Sequence, residues 1–295
     1  MGTVNCMKTT TKPSIERLIN QAVAIETESA QDAGALGFVS RAMIQATLPH
    51  KKVAGNEFER RNGNYTLTLL APSKVGLPYG TIPRLLLAWL TTEAVKTRSR
   101  ELELGDNLSG FMRDLDMVPT GGQWGSINRL KDQTRRLFCC TVSATYEDGQ
   151  KMAFLNQSIA SNAMLWWEAK DPEQAALWHS TVTLSESFFN EVVSHPVPVD
   201  MRAVKALKKS PMALDTYSWL TYRASYAQRP SVIPWPKLAL QFGSEYTRQR
   251  DFKAAFLEEL RKVTTVYSGA QAEPTEGGLL VRPSLTHILM KGNKK

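Results

Sequence analysis

Apolar residues recur at helical spacing in several segments of the chain, and the gaps between those segments organise it. Ser14 to Ala24 carries Ile15, Leu18, Ile19, Ala22 and Val23 on one face, with Ser14 placed as an N-cap. The stretch "ETESAQDAGALG" has no period and reads as a flexible linker. "NGNYTLTLLAP" is a turn pair followed by a β-favouring run, which predicts a strand over Tyr65 to Leu70. "GLPYGTIP" then leads into a helix from Ile82 to Thr97, with Pro83 tolerated in its first turn.

The order that follows is informative. "SRELELG" alternates in polarity and predicts a short strand. "DNLSGFMRDLDM" predicts a short helix capped by Asp106, and "VPTGGQWG" breaks it. The next helix, from Ser126 to Cys140, has Ile127, Leu130, Thr134, Leu137 and Phe138 as its apolar stripe. Arg129 and Arg136 lie opposite, with Lys131, Gln133 and Arg135 at the border. "TVSATYEDGQKMAFLN" is strand, Asp-Gly turn, strand. Two further strands ("SIASNAMLWWE", "STVTLSES") and a closing helix ("SFFNEVV") come before "SHPVPVD", whose alternate prolines read as a stiff linker.

Beyond that linker the order repeats without sequence repetition. Two helices, "DMRAVKALKKS" and "SPMALDTYSWLTYRASYA", precede a short helix entered at Pro236 with Gly243 as its C-cap. After the turn "SEY", a helix to Tyr267 has the stripe Phe252, Ala255, Phe256, Leu260, Val263 and Val266. Glu259 falls among those apolar residues and needs a basic partner or a route to solvent. "TTVYSGAQAEPTEGGLLVRP" closes as a hairpin. Helix, strand, helix, turn, helix, hairpin is the order of a winged helix-turn-helix domain. The expected fold is therefore α+β, with two tandem winged-helix domains over 61–194 and 195–290. Residues 1–60 form a partly flexible helical and strand extension.

Charge sharpens this picture. The net charge is +8, and Met201 to Lys262 alone holds 12 Lys and Arg against 5 Asp and Glu. A compact region of that charge attracts polyanions. Three cysteines, two of them adjacent, make no disulfide framework or zinc motif and suit a reducing cytosol. The sequence lacks GxxxxGK[ST], GxSxG and HExxH, and His50, His179, His195 and His287 are scattered, so surface or loop positions are expected for them. No cofactor, metal site or enzymatic role is expected, and no apolar run is long enough to span a membrane. Trp166, Trp167, Trp178, Trp219 and Trp235 lie inside apolar segments and are assigned to the core.

A helix with an apolar back and a basic front fits the major groove of duplex DNA, where Arg and Lys donate to guanine. In the C-terminal repeat, Thr247, Arg248, Arg250 and Lys253 are the candidates for base readout. Arg261 and Lys262 suit phosphates, and Arg282 sits on the wing. In the first repeat Arg129, Lys131, Arg135 and Arg136 are auxiliary contacts.

Six ordered stretches together resemble the plasmid-encoded RepA replication initiators: "LPYGTIPRLLLAWLTTEAVKT", "RELELGDNLSGFMRDL", "PTGGQWGSINRLKDQTRRLF", "LDTYSWLTYRAS", "IPWPKLALQFG" and "DFKAAFLEELRKV". The resemblance runs from about Asn62 to Pro283. It implies a cytoplasmic, plasmid-associated protein that binds duplex iterons at an origin, promotes opening of the adjacent duplex and takes part in plasmid copy control. It also implies partnership with the host initiator and replicative helicase, and a monomer–dimer equilibrium through the first domain. A winged-helix repressor is the alternative, and a DNA-cleaving enzyme is third.

Overall fold

The computed structural model describes residues 13–45, 47–165, 180–243 and 246–288. The chain opens with α1 (Pro13–Thr27), β1 (Leu36–Ser40) and the short α2 (Arg41–Gln45). It continues through β2 (Glu57–Asn62), β3 (Tyr65–Leu70), α3 (Thr81–Thr97), β4 (Glu101–Glu103), α4 (Leu108–Asp114) and α5 (Ser126–Phe138). The hairpin β5 (Thr141–Glu147) and β6 (Met152–Ser158) leads to β7 (Ala160–Met164), β8 (Thr181–Leu184), α6 (Glu186–Ser194) and β9 (Pro196–Asp200). The remainder is α7 (Met201–Leu207), α8 (Pro211–Tyr226), β10 (Ser231–Pro234), α9 (Trp235–Phe242), α10 (Gln249–Val266), β11 (Ala272–Pro274) and β12 (Gly278–Val281). The fold is mixed α+β.

Among the described residues the strands form four antiparallel sheets, ordered β2-β3-β5-β6, β4-β8-β7, β1-β9 and β10-β12-β11. In the largest, Phe58, Leu67, Leu69, Val142 and Ala144 line the buried face. The strand period of two leaves Thr66, Thr68 and Leu70 on the outer face. The two halves use the strand before the short helix differently. In the second, β10 before α9 joins the closing hairpin directly. In the first, β4 before α4 pairs with β8 instead.

Several local expectations are corrected. The stretch read as the linker "SHPVPVD" contains β9, which pairs with β1 from Leu36↔Asp200 to Ser40↔Pro196. Asp200 donates its N–H away from β1, to the Tyr217 hydroxyl at 2.9 Å, while Met201 donates to Ala35 O at 2.9 Å. Pro196 and Pro198 share Asp200's outward phase, so their missing N–H groups cost the ladder nothing. The "ETESAQDAGALG" linker includes a bonded turn, with Ala35 donating to Ala30 O at 2.7 Å, and then enters β1. Asn107, not Asp106, caps α4, accepting from the Gly110 N–H at 2.7 Å. Gly243 ends α9 without a left-handed turn. It is glycine because a Cβ there would lie 2.2 Å from the Phe252 ring. The stripe expected on α1 is split: Ala22 and Ile25 face inward, whereas Ile15, Ile19 and Val23 are exposed. The Ser14 side chain lies outside the described residues.

The halves are joined through a buried polar cluster. Arg84 on α3 forks onto Asp215 on α8, Nε to Oδ1 and Nη2 to Oδ2, both at 2.7 Å. Its remaining N–H groups reach the carbonyls of Leu48 at 2.7 Å, Pro49 at 3.3 Å and Gly80 at 2.6 Å. His50 Nε2 lies 2.8 Å from Asp215 Oδ2, and all three side chains are less than a tenth exposed. Buried Arg60 holds the same loop through the Thr47 and Leu48 carbonyls. His50 is thus a core histidine, contrary to its expected surface place. Burial pushes the Asp215 carboxyl up, but Arg84 and His50 outweigh that and hold it below the ordinary value. Burial likewise lowers His50, so it folds as the neutral ring.

Removing one partner of such a pair strands a buried charge. Asp215→Ala is expected to lower the unfolding free energy by about 3–5 kcal/mol, measured by urea titration. The pH dependence has a defined sign. A histidine with a lowered folded pKa binds its proton more readily unfolded, so its contribution holds above the ordinary value of 6.5 and is lost on acidification. Stability should therefore fall between about pH 7 and pH 5, and less so in His50→Gln. Comparing the two curves separates His50 from Glu191, whose burial raises its carboxyl and acts in the opposite sense.

Candidate nucleic-acid interface

Two helices carry the basic residues selected from the sequence. Helix α5 starts at Gly125 behind a tightly bonded turn. Ser126 N–H donates to Thr120 Oγ1 at 2.9 Å, Thr120 N–H donates to Ser126 Oγ at 2.8 Å, and Ser126 Oγ donates to Val118 O at 2.6 Å. A Cβ on Gly125 would lie 2.2 Å from the Thr120 and Gly121 carbonyl oxygens, so glycine is required there. Ile127, Leu130, Thr134 and Leu137 are buried as expected. Gln133 is buried too, accepting the Tyr79 N–H at 2.9 Å.

The cations of α5 divide. Arg129 and Lys131 point to solvent and form no ion pair among the described residues. Arg135 is exposed and donates to Lys74 O at 3.2 Å. Arg136, expected on the outward face, folds back instead. Its Nε lies 2.7 Å from Asp132 Oδ2, Nη1 reaches Leu77 O at 3.4 Å, and the guanidinium sits 5.6 Å from the Tyr79 ring centroid. Helical phase alone could not show this, because Tyr79 and Leu77 arrive from a loop about sixty residues away.

Helix α10 buries Phe252, Phe256, Leu260, Val263 and Val266. These join an aromatic run from Tyr246 through Phe252 and Phe256 to Phe242 and Trp219, with centroid spacings of 5.5–5.9 Å. Arg250, Ala254 and Arg261 fall on the opposite face, with Thr247 and Arg248 exposed ahead of it. Arg250 lies 3.4 Å from the exposed Asp251 carboxylate. Lys253 is half-buried, its Nζ 4.8 Å from the Trp235 ring. Glu259 has the partner it needed: Lys262 Nζ is 2.8 Å from it and 3.2 Å from Glu258. Burial opposes the Lys262 charge, but these two carboxylates overcome it and raise its pKa. Arg282 pairs with Glu273 at 2.7 Å across β12 and β11. Among the described residues Arg129, Lys131, Arg135, Arg248 and Arg261 form no ion pair, whereas Arg136, Lys253 and Lys262 have internal partners.

Two features escaped the sequence reading. Helix α1 lies against α7 and α10, and a groove of about 340 Å³ opens between them, whose lining mixes cations such as Arg17, Lys205, Lys208 and Lys209 with Glu259 and the apolar Ile15 and Leu18. Lys208 also bridges to Asp116 of the first half at 2.5 Å. The second is Trp124 in the turn before α5, 85% exposed. Trp219 and Trp235 are core residues as expected. Trp166, Trp167, Trp178 and His179 lie outside the described residues. Cys140 is buried and its thiol is pushed up to about 12, while Cys139 is exposed and free. Among the described residues no cluster of His, Cys, Asp or Glu could hold a metal ion, and no helix is long and apolar enough to cross a membrane.

The family model for plasmid-encoded RepA protein matches residues 77–235, more than half of the chain. The chain belongs to the plasmid RepA replication initiator family. The match spans α3 to β10, so this RepA-family chain carries α5 inside it and α10 beyond it. Among solved structures it is similar to domains 2 and 3 of RctB. One crystal structure has a TM-score of 0.51 at 12% identity, covering 82% of this chain and 96% of that one. A selenomethionine form has a TM-score of 0.53 at 10% identity, covering 85% and 97%. At such identities the likeness concerns the fold, and it extends across both halves. A comparison with curated protein sequences gave no match.

Arg136→Ala is expected to lower stability by about 1–2 kcal/mol, because a charge-assisted bond to Asp132 and a carbonyl bond are lost together. Arg129→Ala should leave the urea midpoint unchanged. Equal midpoints for the two variants would return Arg136 to the solvent-facing set.

Proposed function

We propose that this chain is a non-enzymatic, sequence-specific duplex DNA-binding initiator that recognises iterons at a plasmid origin. The observation that carries the reading is membership of the plasmid-encoded RepA family together with two outward-facing basic helices. Each of α5 and α10 follows a short helix and a turn, and each precedes a hairpin. We read these as two winged-helix domains, over 61–194 and 195–290, behind an extension of residues 1–60. Helix α10 is the main reader in this reading, because it ends the stretch Met201–Lys262, where 12 Lys and Arg face 5 Asp and Glu. Arg248 and Arg250 at its start reach bases, with Thr247 beside them. Lys253 joins them by leaving the Trp235 ring. Arg261, Lys262 and Arg282 contact phosphates.

Helix α5 is auxiliary, with Arg129, Lys131 and Arg135 on the backbone and Arg136 as support. Strand β6 is an outer strand of its sheet and exposes Met152 and Phe154 at 70% and 67%, which suits a contact between two copies. Iteron binding then bends and opens adjacent duplex and delivers the host initiator and replicative helicase, in the bacterial cytoplasm.

Footprinting on the DNA flanking the gene would show protected direct repeats. Affinity for them should fall steeply with salt, because phosphate neutralisation releases counterions. Arg250→Ala is expected to cost about 1–3 kcal/mol and to flatten base preference at one position. Arg261→Ala should weaken all sequences evenly and reduce the salt slope by about one. A single-base variant panel measured by fluorescence anisotropy distinguishes them. An unprotected origin, or metal-dependent nicking of it, would count against the assignment.

A further inference from the structure

Trp124 is the exposed member of the four described tryptophans. Trp219 and Trp235 are 5% and 3% exposed, and Trp89 packs edge-on against Phe111 at 5.1 Å. Trp124 is 85% exposed. A side chain of that size left in water is ordinarily accommodated by a loose loop, yet this turn is fixed. Besides the Thr120–Ser126 bonds, Gly125 N–H donates to Gly122 O at 3.1 Å and Asn128 Nδ2 donates to the same oxygen at 2.8 Å. Gly122 adopts φ 81° and Gly125 admits no Cβ, so backbone geometry as well as hydrogen bonds shapes the pedestal. The indole is held out, not merely left out.

Its surroundings say what it meets. Asn128, Lys131 and Arg135 follow one another at intervals of three and four residues, the spacing of one face of α5, and Trp124 stands in the turn just ahead of it, before the extended N-cap Gly125. All four are exposed, and Arg129 stands beside them. A flat aromatic plate thus precedes a helix face with cations along its length, and Val118, also exposed, belongs to the same turn. A protein-docking tryptophan is ordinarily enclosed by groups that exclude water. An aromatic plate beside cations is the combination that holds single-stranded nucleic acid, bases on the ring and phosphates on the charges. An intact duplex hides its base faces in the stack, so a π-surface in solvent has no flat partner there.

We propose that Trp124 stacks on an unpaired base of DNA, while Lys131 and Arg135 hold phosphates of the same strand. This deepens the initiator reading, on which it rests. It gives α5 a second substrate beside its auxiliary backbone contacts, the strand freed when the duplex opens, and leaves base readout of the duplex to α10. The indole carries no charge, so stacking adds affinity without adding counterion release.

The test uses the full chain, a labelled oligothymidylate of about 15 nucleotides and the footprinted duplex. Wild type should bind both. Trp124→Ala should weaken the oligothymidylate roughly tenfold or more, with its salt slope unchanged. It should leave the duplex within about twofold. Trp124→Phe should recover most of the loss, whereas Lys131→Ala/Arg135→Ala should lower the salt slope. Single-strand affinity unchanged in Trp124→Ala overturns the proposal and hands the indole to a protein partner. A wild-type chain that ignores the oligothymidylate, or a Trp124→Ala loss as large on the duplex as on the single strand, also overturns it. A wild-type chain that fails on the duplex while Trp124→Ala still loses the single strand defeats the initiator reading alone.

Discussion

The fork of Arg84 onto Asp215 is the constraint on which the rest of the structure depends. It takes two full charges out of water, which is unfavourable unless every remaining donor is used. Here Arg84 spends its other N–H groups on the Leu48, Pro49 and Gly80 carbonyls, and Asp215 also meets His50. Three segments far apart in the chain therefore converge on one carboxylate: α3, the loop before β2, and α8. An apolar contact at this place could slide. A bidentate pair cannot, because its two bonds fix both distance and angle. The relative setting of the two halves follows from it, and with that setting the directions in which α5 and α10 face outward.

The second half is built around rings. Trp219, Phe242, Phe256, Phe252 and Tyr246 touch in sequence, and Trp235 meets Phe256 at 6.3 Å. Edge-on aromatic contacts have angular preferences, so this core sets the pitch of α10 against α9 more sharply than aliphatic packing would. The first half relies on polar devices at the equivalent place, the Thr120–Ser126 exchange and Gln133 on the Tyr79 N–H. Two helices of similar outward character thus stand on supports of different chemistry.

Much of the architecture was legible in the sequence where the period was local. The positions of α3, α5, α8 and α10, the Asp-Gly hairpin and the need of Glu259 for a cation or solvent were readable from spacing alone, although α5 ends at Phe138 rather than Cys140 and α10 begins at Gln249 rather than Tyr246. What was not legible depended on residues distant in sequence. The prolines of β9 looked like a linker because only β1, some 160 residues earlier, shows that their missing donors point away. His50 looked like a loop residue because Asp215 and Arg84 are remote. For the candidate interface, helical phase placed Arg129, Arg250 and Arg261 outward correctly, but it could not show that Arg136, Lys253 and Lys262 are already engaged. Trp124 was missed for a simpler reason: "VPTGGQWG" read only as a break between helices, and nothing local shows that the indole in that turn stays in solvent.

The pairing of β1 with β9, and of α1 with α7 and α10, also has a bearing on synthesis. Leu36 leaves the ribosome long before Asp200, and at roughly 5–20 residues per second the wait for β9 is about 8 to 33 seconds. Throughout it β1 has an unsatisfied edge, and the Ala22 and Ile25 face of α1 has nothing to cover it. The beginning of the chain is therefore sealed by its far half. A product cut short before β9 keeps both surfaces open, and so stays in the unfolded pool on which proteases act.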